Sequence, residues 1–479
     1  MSGISFGTDG WRAVIAEDFT FSNLRLCAQA VADWLKEQGT AAGGQFIGYD
    51  TRFLSEEFAA AVAEVYAAND IPVWLALKAI PTPVVSYGIT HLKASGGVVI
   101  TASHNPAIYN GFKYKSADGA SAPTEDIVGI ERHIARLVSE CMTPRTMPLE
   151  DAERQGKVKR WDPDADFFAR MESLVDIDGI RRSGMRIAYD AMHGAGAGYF
   201  HALLSPGVAL TEINGERNPL FPGINPEPIT RNLTGLSNLM QTGRFDVGIA
   251  TDGDADRIGL VDERGVFLNQ LQVFSLLAFY LLEVRGERRP IVRTVTSSSM
   301  LDRLGEQYGV KVYETRVGFK YVAPMMLKVD AAIGGEESGG YGFRGHVPER
   351  DGILAALMFL DFMVKTGKKP SQLLQWLFSK VGAHYYDRND YHTTSELKEA
   401  LRCRLDGDPP RQIDGEAVCK MDTTDGFRFF FADGSWLLMR FSGTEPLIRV
   451  YCETQKSEKV ASLLAAGRGL LESCSLGKG

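Results

Sequence analysis

Short apolar runs that stop abruptly at polar loops alternate with amphipathic stretches along most of this chain. Residues 21–38 set Leu24, Cys27, Ala28, Val31 and Leu35 on one face and predict a helix capped by Ser22 or Asn23. Residues 46–52 read as a strand running into a polar turn. Residues 55–69 read as a helix capped by Ser55, and 71–76 as a strand. Val98-Val-Ile, beside Gly96 and Gly97, is a buried strand that ends in a loop reaching to Lys113, and a helix at about 124–140 closes this unit. Residues 143–164, rich in proline and charge, read as a linker.

The pattern then repeats. Strands at 185–190, 246–250 and 258–261 form a second unit. A long apolar helix at 270–285 opens a third, with strands at 291–295, 310–315 and 329–333 and helices at 299–308 and 352–366. A second linker near 367–371 precedes a helix at 372–380. Beyond residue 384 the chain turns aromatic and alternating: a hairpin of 427–431 and 436–441 around Ala432-Asp-Gly, a strand at 447–453 and a helix at 456–472. Val98-Val-Ile, Val247-Gly-Ile and Ala331-Ala-Ile each stop at a polar loop. The simplest architecture is three α/β units (1–145, 160–264, 265–380), each sending one loop to a common site, and a smaller α+β unit (384–479). The unequal spacing of the three strands adds no proof of a repeat.

Length and charge narrow the function. The 479 residues suit three or four domains. A net charge of −8 argues against nucleic acid or an anionic membrane as the main partner. An anionic small substrate stays open, because local arginines override the global sign. Six scattered cysteines without a C-x-x-C pair suit a reducing compartment and offer no thiolate metal site. The first residues lack a basic and apolar leader, and the longest apolar run, 273–282, is short of the roughly 20 residues a membrane span needs. A cytoplasmic protein is expected; monomer and homo-oligomer both remain open.

Four stretches carry candidate chemistry. In Thr101-Ala-Ser-His-Asn-Pro a hydroxyl sits at the carboxyl end of a buried strand, where open α/β sheets bind ligands. Ser103 is therefore the candidate reactive group, with His104 and Lys113 near it; a simple capped turn also fits. Asp252-Gly-Asp-Ala-Asp-Arg spaces three carboxylates by Gly and Ala only. Two like charges about 4 Å apart cost about 4 kcal/mol at an effective dielectric near 20. A divalent cation removes that cost, and an all-oxygen set favours Mg²⁺ or Ca²⁺ over zinc. An EF-hand is rejected, since Arg257 stands where glycine is needed and strands replace the flanking helices. A solvated acidic loop is the other reading. Glu336-Glu-Ser-Gly-Gly offers groups that hydrogen-bond sugar hydroxyls, or is an ordinary glycine-rich loop. In Arg440-Phe-Ser-Gly-Thr-Glu-Pro-Leu-Ile-Arg449, amides around Gly443 suit an anion nest and the two arginines a phosphate clamp; a hairpin with exposed arginines is the plain alternative. The glycine-rich 191–198 reads as turn geometry rather than a phosphate loop. Arg12, in Phe6-Gly-Thr-Asp-Gly-Trp-Arg, can reach a phosphate.

Taken together and in order, Phe6-Gly-Thr-Asp-Gly-Trp-Arg, Thr101-Ala-Ser-His-Asn-Pro, Asp252-Gly-Asp-Ala-Asp-Arg, Gly335-Glu-Glu-Ser-Gly and Arg440-Phe-Ser-Gly-Thr-Glu-Pro resemble the α-D-phosphohexomutase superfamily over essentially the whole chain. The resemblance implies three related α/β domains with mixed sheets and a smaller C-terminal α+β domain around a central cleft. It implies phosphoryl transfer between O1 and O6 of a hexose phosphate by way of a hexose 1,6-bisphosphate. Ser103 would be the phosphoserine, and Asp252, Asp254 and Asp256 would hold Mg²⁺ with a phosphoryl oxygen on Ser103. Arg12, His104 and Lys113 would flank the transferring group. Glu336 and Ser338 would read the sugar hydroxyls, while Arg440, Ser442, Gly443, Thr444 and Arg449 would grip the other phosphate. Arg257 and Lys320 join the substrate-binding set.

One departure stands out. Some family members carry His after the Ser-Gly of the sugar loop; here that position is Gly340. The base is then Lys113 or a group in the stretch 346–350. The Glu-Glu-Ser form of the loop resembles phosphoglucomutases more than phosphoglucosamine mutases, which usually carry Gln in the middle. Phosphoglucomutase activity, extending to mannose phosphates and primed by glucose 1,6-bisphosphate, is expected. The alternatives are a glucose-1,6-bisphosphate synthase and a non-catalytic sugar-phosphate sensor.

Overall fold

The computed structural model describes residues 3–7, 10–441 and 447–473. Its first sheet has the order β1-β5-β4-β2-β3-β6, built from β1 (Trp11–Val14), β2 (Gln45–Tyr49), β3 (Val73–Ala76), β4 (Gly96–Ile100), β5 (Tyr109–Ser116) and β6 (Val158–Trp161). Helices α1 (Phe21–Glu37), α2 (Ser55–Ala68), α3 (Thr82–Leu92), α4 (Thr124–Ser139) and α5 (Leu149–Arg154) accompany it. The second unit holds α6 (Asp164–Leu174), α7 (Ile177–Arg182), β7 (Arg186–Asp190), α8 (Tyr199–Leu204), β8 (Ala209–Ile213), α9 (Thr234–Met240), β9 (Val247–Thr251), β10 (Ile258–Val261) and β11 (Phe267–Leu268), in the sheet order β11-β10-β9-β7-β8.

The third unit holds α10 (Gln270–Phe279), β12 (Ile291–Thr294), α11 (Met300–Tyr308), β13 (Val312–Thr315), α12 (Phe319–Val329), β14 (Ile333–Gly335), β15 (Tyr341–Phe343), α13 (Gly352–Thr366) and α14 (Pro370–Val381). Its sheet order is β13-β12-β14-β15. The C-terminal unit is an antiparallel sheet of β16 (Tyr385–His392), β22 (Leu447–Thr454), β21 (Trp436–Phe441), β20 (Phe427–Phe430) and β19 (Lys420–Asp422), in that spatial order. A small ribbon of β17 (Gln412–Ile413) and β18 (Glu416–Ala417) and the helices α15 (Ser395–Gly407) and α16 (Lys459–Ser473) complete it.

The expected repeat is present as topology. The strand sets β5-β4-β2-β3, β10-β9-β7-β8 and β15-β14-β12-β13 share one order. In each, three strands run parallel and the fourth folds back antiparallel. The parallel strands β2, β4 and β9 are buried throughout, as strands covered on both faces must be. The turn into the antiparallel strand is therefore a special place, the point where a buried strand surfaces and reverses. In the three units that turn carries Ser103, Asp252–Arg257 and Glu336–Gly340 in succession. One continuous apolar cluster runs through the first three units, while the C-terminal unit has its own core around Phe429, Leu437, Val450 and Leu464.

Several expectations need correction. The stretch 143–164 is not a bare linker: it forms α5 and then β6, which pairs with β3 at the edge of the first sheet. The second expected linker, 367–371, is a tight helix–helix turn in which Gly367 ends α13 in a left-handed conformation and Pro370 begins α14. The chain passes to the C-terminal sheet only at residues 382–384. Helix α1 is capped by Thr20, whose Oγ1 accepts from the Asn23 amide at 3.2 Å. Ser55 does not cap α2; it is the first helical residue and its hydroxyl donates to Asp50 Oδ1 at 2.8 Å. Lys113, expected on a loop, lies in β5 opposite Val99.

Candidate active site

The Ser103 turn rests on a buried polar platform. Ser103 itself is left-handed (φ 51°) and almost fully buried. For a residue with a Cβ this backbone conformation is uncommon and has to be held by its surroundings. The holder is Arg52. Its guanidinium is buried and donates to four backbone carbonyls of the turn: Ser103 (2.5 Å), Asn105 (2.6 Å), Pro106 (2.9 Å) and Tyr109 (3.1 Å). Asp50 balances its charge at 3.2 Å. Asp50 also accepts from Thr101 Oγ1 at 2.5 Å, and Thr101 in turn accepts from the Ser103 amide at 2.8 Å. Thus the polar turn after β2, expected from the sequence but given no role there, is what shapes the loop after β4.

Across from it, the β9–β10 turn presents the three aspartates, all fully buried. Ser103 Oγ donates to Asp252 Oδ2 at 2.9 Å. Gly253 permits this approach, because a Cβ there would lie 2.6 Å from the Ser103 carbonyl oxygen. Lys113 Nζ lies 2.9 Å from Asp254 Oδ2 and 3.8 Å from Asp256 Oδ2. Thr82, at the start of α3, donates its hydroxyl to Asp254 Oδ2 (2.6 Å) and its amide to the Asp254 carbonyl (2.9 Å). Burial and the neighbouring Asp256 and Asp254 push the Asp252 carboxyl well above the usual range. Burial opposes ionisation of Asp254 too, but Lys113 and Thr82 outweigh it and hold that carboxyl below its usual value. One oxygen of each aspartate lies within 4.8 Å of the others, and Asp254 Oδ1 and Asp256 Oδ1 have no hydrogen-bond donor among the described residues. Converging, buried, all-oxygen donors with open lone pairs fit a hard divalent cation such as Mg²⁺.

The third turn comes close through Arg350, which lies 2.8 Å from Asp256 Oδ2 and 3.4 Å from Glu336 Oε2. Glu336 Oε1 accepts from the Gly318 amide at 3.0 Å, and burial raises its pKa against the pull of Arg350. Ser338 Oγ is buried with no hydrogen-bond partner among the described residues. Lys320 lies in the first turn of α12 and lines a cavity of about 160 Å³ with Phe6, Tyr114 and Glu131.

The remaining predicted residues divide. Arg12 Nη1 donates to Asn105 Oδ1 at 2.7 Å, beside the Ser103 turn. Arg257 lies 3.7 Å from Asp256 and 4.0 Å from Glu227, and His104 Nδ1 lies 3.6 Å from the same Glu227. Burial and the guanidiniums of Arg257 and Arg12 hold the His104 pKa well below the ordinary histidine value, so its ring is neutral at pH 7. His346 is buried elsewhere, bonded to Asp351 at 3.0 Å and stacked with Tyr87; it is not among the groups gathered at Ser103. Glu337, the middle residue of Glu-Glu-Ser, accepts from Tyr386 (2.7 Å) and Arg388 (3.2 Å) of the C-terminal unit, so it serves a domain contact. Arg440 and Arg449 pair directly across β21 and β22, with Asp425 (3.1 Å) and Asp390 (3.6 Å) as partial counter-charges. Like charges opposite each other destabilise a sheet, and an anion between them reverses that. Ser442, Gly443 and Thr444 lie outside the described residues.

Arg52, Thr82 and Arg350 were missed. Each acts at a site made by chain segments far away in sequence, and only the Asp50-Thr-Arg52 strand end carried a local signal.

Comparison with known proteins agrees with this geometry. The models of phosphoglucomutase/phosphomannomutase α/β/α domains I, II and III match residues 3–140, 165–265 and 269–381, and that of the C-terminal domain matches 399–468. A phosphoglucomutase/phosphomannomutase of Thermococcus kodakarensis is 31% identical over 98% of this chain and 99% of its own. A probable phosphoglucosamine mutase of Pyrococcus horikoshii is 31% identical over 98% of each. The crystal structure of a putative phosphomannomutase from Thermus thermophilus superposes with a TM-score of 0.86 at 36% identity, over 98% of this chain and all of that one. Among the described residues no helix is long and apolar enough to cross a membrane.

Proposed function

The chain belongs to the phosphoglucomutase/phosphomannomutase family of phosphohexomutases, and on that premise we propose that it interconverts glucose 1-phosphate and glucose 6-phosphate. Mannose phosphates are the second substrate pair. The observation that carries this reading is the meeting of Ser103 Oγ with Asp252 at 2.9 Å while Lys113 salt-bridges Asp254. A nucleophile, a cation site and a buried ammonium within one cluster are the parts phosphoryl transfer needs, since it depends on positioning and charge neutralisation.

In this reading Ser103 carries the phosphoryl group. A sugar hydroxyl oxygen attacks phosphorus, the P–O bond to Ser103 Oγ breaks, the hydroxyl proton ends in net terms on Ser103 Oγ, and a hexose 1,6-bisphosphate results. After the intermediate turns over, its other phosphate returns to Ser103. Glucose 1,6-bisphosphate therefore also primes an unphosphorylated enzyme. Mg²⁺ held by Asp252, Asp254 and Asp256 would supply Lewis-acid stabilisation of the charge on the transferring group. Lys113 and Arg12 add fixed positive charge beside it. Glu336 and Ser338 bind sugar hydroxyls. Arg257 and Lys320 contact the substrate, and Arg440, Arg449 and the intervening residues Ser442, Gly443 and Thr444 hold the phosphate that is not reacting. That clamp must accept the intermediate in both orientations.

Glucosamine phosphate is the second reading, favoured by relatives of that name at the same identity as the phosphoglucomutase/phosphomannomutase. Intact-mass and peptide mapping before and after glucose 1,6-bisphosphate with Mg²⁺ tests the common core. The expected gain is about 80 Da on the Ser103 peptide. Coupled assays with glucose, mannose and glucosamine 1-phosphates then rank the sugars. Folded protein that leaves Ser103 unmodified and turns over none of them would sink the mutase reading.

A further inference from the structure

Arg350 lies between β15 and α13, is 6% exposed, and bridges carboxylates of the second and third hairpin turns. Its Nη2 reaches Asp256 and its Nη1 reaches Glu336. Its Nε lies 3.2 Å from Glu349 Oε1, and its guanidinium covers the Phe319 ring at 5.6 Å. Glu349 is itself tied to Lys115 of β5, so the fork is anchored from the first unit and aimed between the other two. The stem of Arg350 runs through the space beside Gly340. A Cβ on residue 340 would clash with Arg350 Cδ and lie 2.8 Å from Cγ. Any larger residue there displaces the arginine.

We propose that Arg350 is a positioning residue of this active site, and that position 340 is glycine so that the arginine can enter. The inference rests on the mutase reading. Its physical basis is geometric: one buried guanidinium reaches a carboxylate on each of two hairpin turns. The Arg350 fork and the Gly318 amide hold the two oxygens of Glu336 and fix the direction in which its carboxyl meets a sugar hydroxyl. The same fork neutralises Asp256, so the cation loop and the sugar loop keep one relative placement. A lysine offers one point charge and cannot span two carboxylates in this planar fashion.

The test uses the full chain and five proteins: wild type, R350A, R350K, G340A and the G340A/R350A double variant. Wild-type turnover of hexose phosphates is measured first and judges the mutase reading alone. Binding of glucose 1,6-bisphosphate by calorimetry follows for every variant, so Arg350 is judged even if the turnover assay fails. R350A is expected to lower kcat/KM by about 100-fold, because it strands a buried carboxylate, and to weaken bisphosphate binding at least tenfold. Guanidinium added to R350A restores part of the lost rate. R350K recovers no more than about a tenth of wild-type kcat/KM. G340A costs at least about tenfold in the wild-type background and nothing further in R350A, the signature of two residues acting as one unit.

R350A or R350K within threefold of wild type in both measurements overturns the proposal. So does a G340A loss that is the same in both backgrounds. Should R350A not fold, G340A and R350K decide the matter by the same thresholds.

Discussion

The hydroxyl, amide and carbonyl of Ser103 are each held by a buried neighbour, whereas Arg440 and Arg449 stand opposite each other across two antiparallel strands with Asp425 and Asp390 beside them. The first arrangement belongs to three units that share one apolar core; the second belongs to a unit with a core of its own. On the proposed function the contrast follows from what each must do. A reacting oxygen has to be held in one geometry, and preorganised groups in a dry site cost nothing to rearrange at the moment of reaction. A clamp that takes one ligand in two orientations is better served by long side chains and a unit that is separately folded.

The sharpest way to break this comparison is to remove the nucleophile. Ser103→Ala is expected to lower turnover by at least about 10⁴-fold while hexose phosphate binding persists. Steady-state assays paired with calorimetry measure both. Loss of binding together with rate would mean that Ser103 shapes the ligand site, and the division between reacting centre and clamp would fail.

Next comes the platform. Arg52→Ala leaves four carbonyls and Asp50 without their buried donor. An expected loss of about 3 kcal/mol in stability accompanies a fall in kcat of about 100-fold, with KM little changed. Arg52→Lys restores the charge but not the four-way fork, so kcat stays low. A variant whose KM rises while kcat holds would place Arg52 with the clamp instead.

What could be read without coordinates follows the same division. The Ser103 and Asp252–Asp256 motifs are local, each complete within about six residues, and stood out from the pattern alone. The strand–helix repeat was legible in part because β2, β4 and β9 are plain apolar runs. Helix α3 was not, since Thr82-Pro-Val-Val resembles a strand start, and the polar alternating β16 has little apolar signal. Arg52 and Arg350 lay hidden for a deeper reason. A buried arginine looks like a surface arginine until the distant partners that bury it, the Ser103 turn for Arg52 and Asp256 for Arg350, are placed around it.

The clamp should respond in the opposite sense to the platform. Arg440→Ala and Arg449→Ala are each expected to raise KM by about tenfold, with kcat altered less, because each removes one charged contact to the phosphate held away from the reaction. Removing either arginine also relieves the cross-strand repulsion, so the melting temperature should hold or rise slightly. A kcat loss as large as that of Arg52→Ala, at unchanged KM, would place these residues in the reacting centre.

The smallest effect concerns how the C-terminal unit is held. Arg428 of β20 donates to the Val295 carbonyl and to Glu314 of β13, both at 2.8 Å, and Arg293 pairs with the same glutamate. Burial alone would raise the Glu314 pKa, but Arg428 and Arg293 outweigh it and leave it below the ordinary glutamate value. A depressed carboxyl stabilises the folded state above its unfolded pKa, and that stabilisation is lost as pH falls through the folded value. The contact should therefore be complete at pH 7 and weaken on acidification below about pH 4. Because Glu314 keeps a quarter of its side chain in solvent, the effect is at most about 1 kcal/mol. Urea titrations of wild type and Glu314→Gln at pH 7 and near pH 3.5 measure it, and the difference between the two proteins should be smaller at the lower pH. An equal difference at both pH values would show that Glu314 acts through its shape, leaving the apolar seam of Val295, Trp436, Leu438 and Tyr451 and the Glu337 contacts to hold the C-terminal unit.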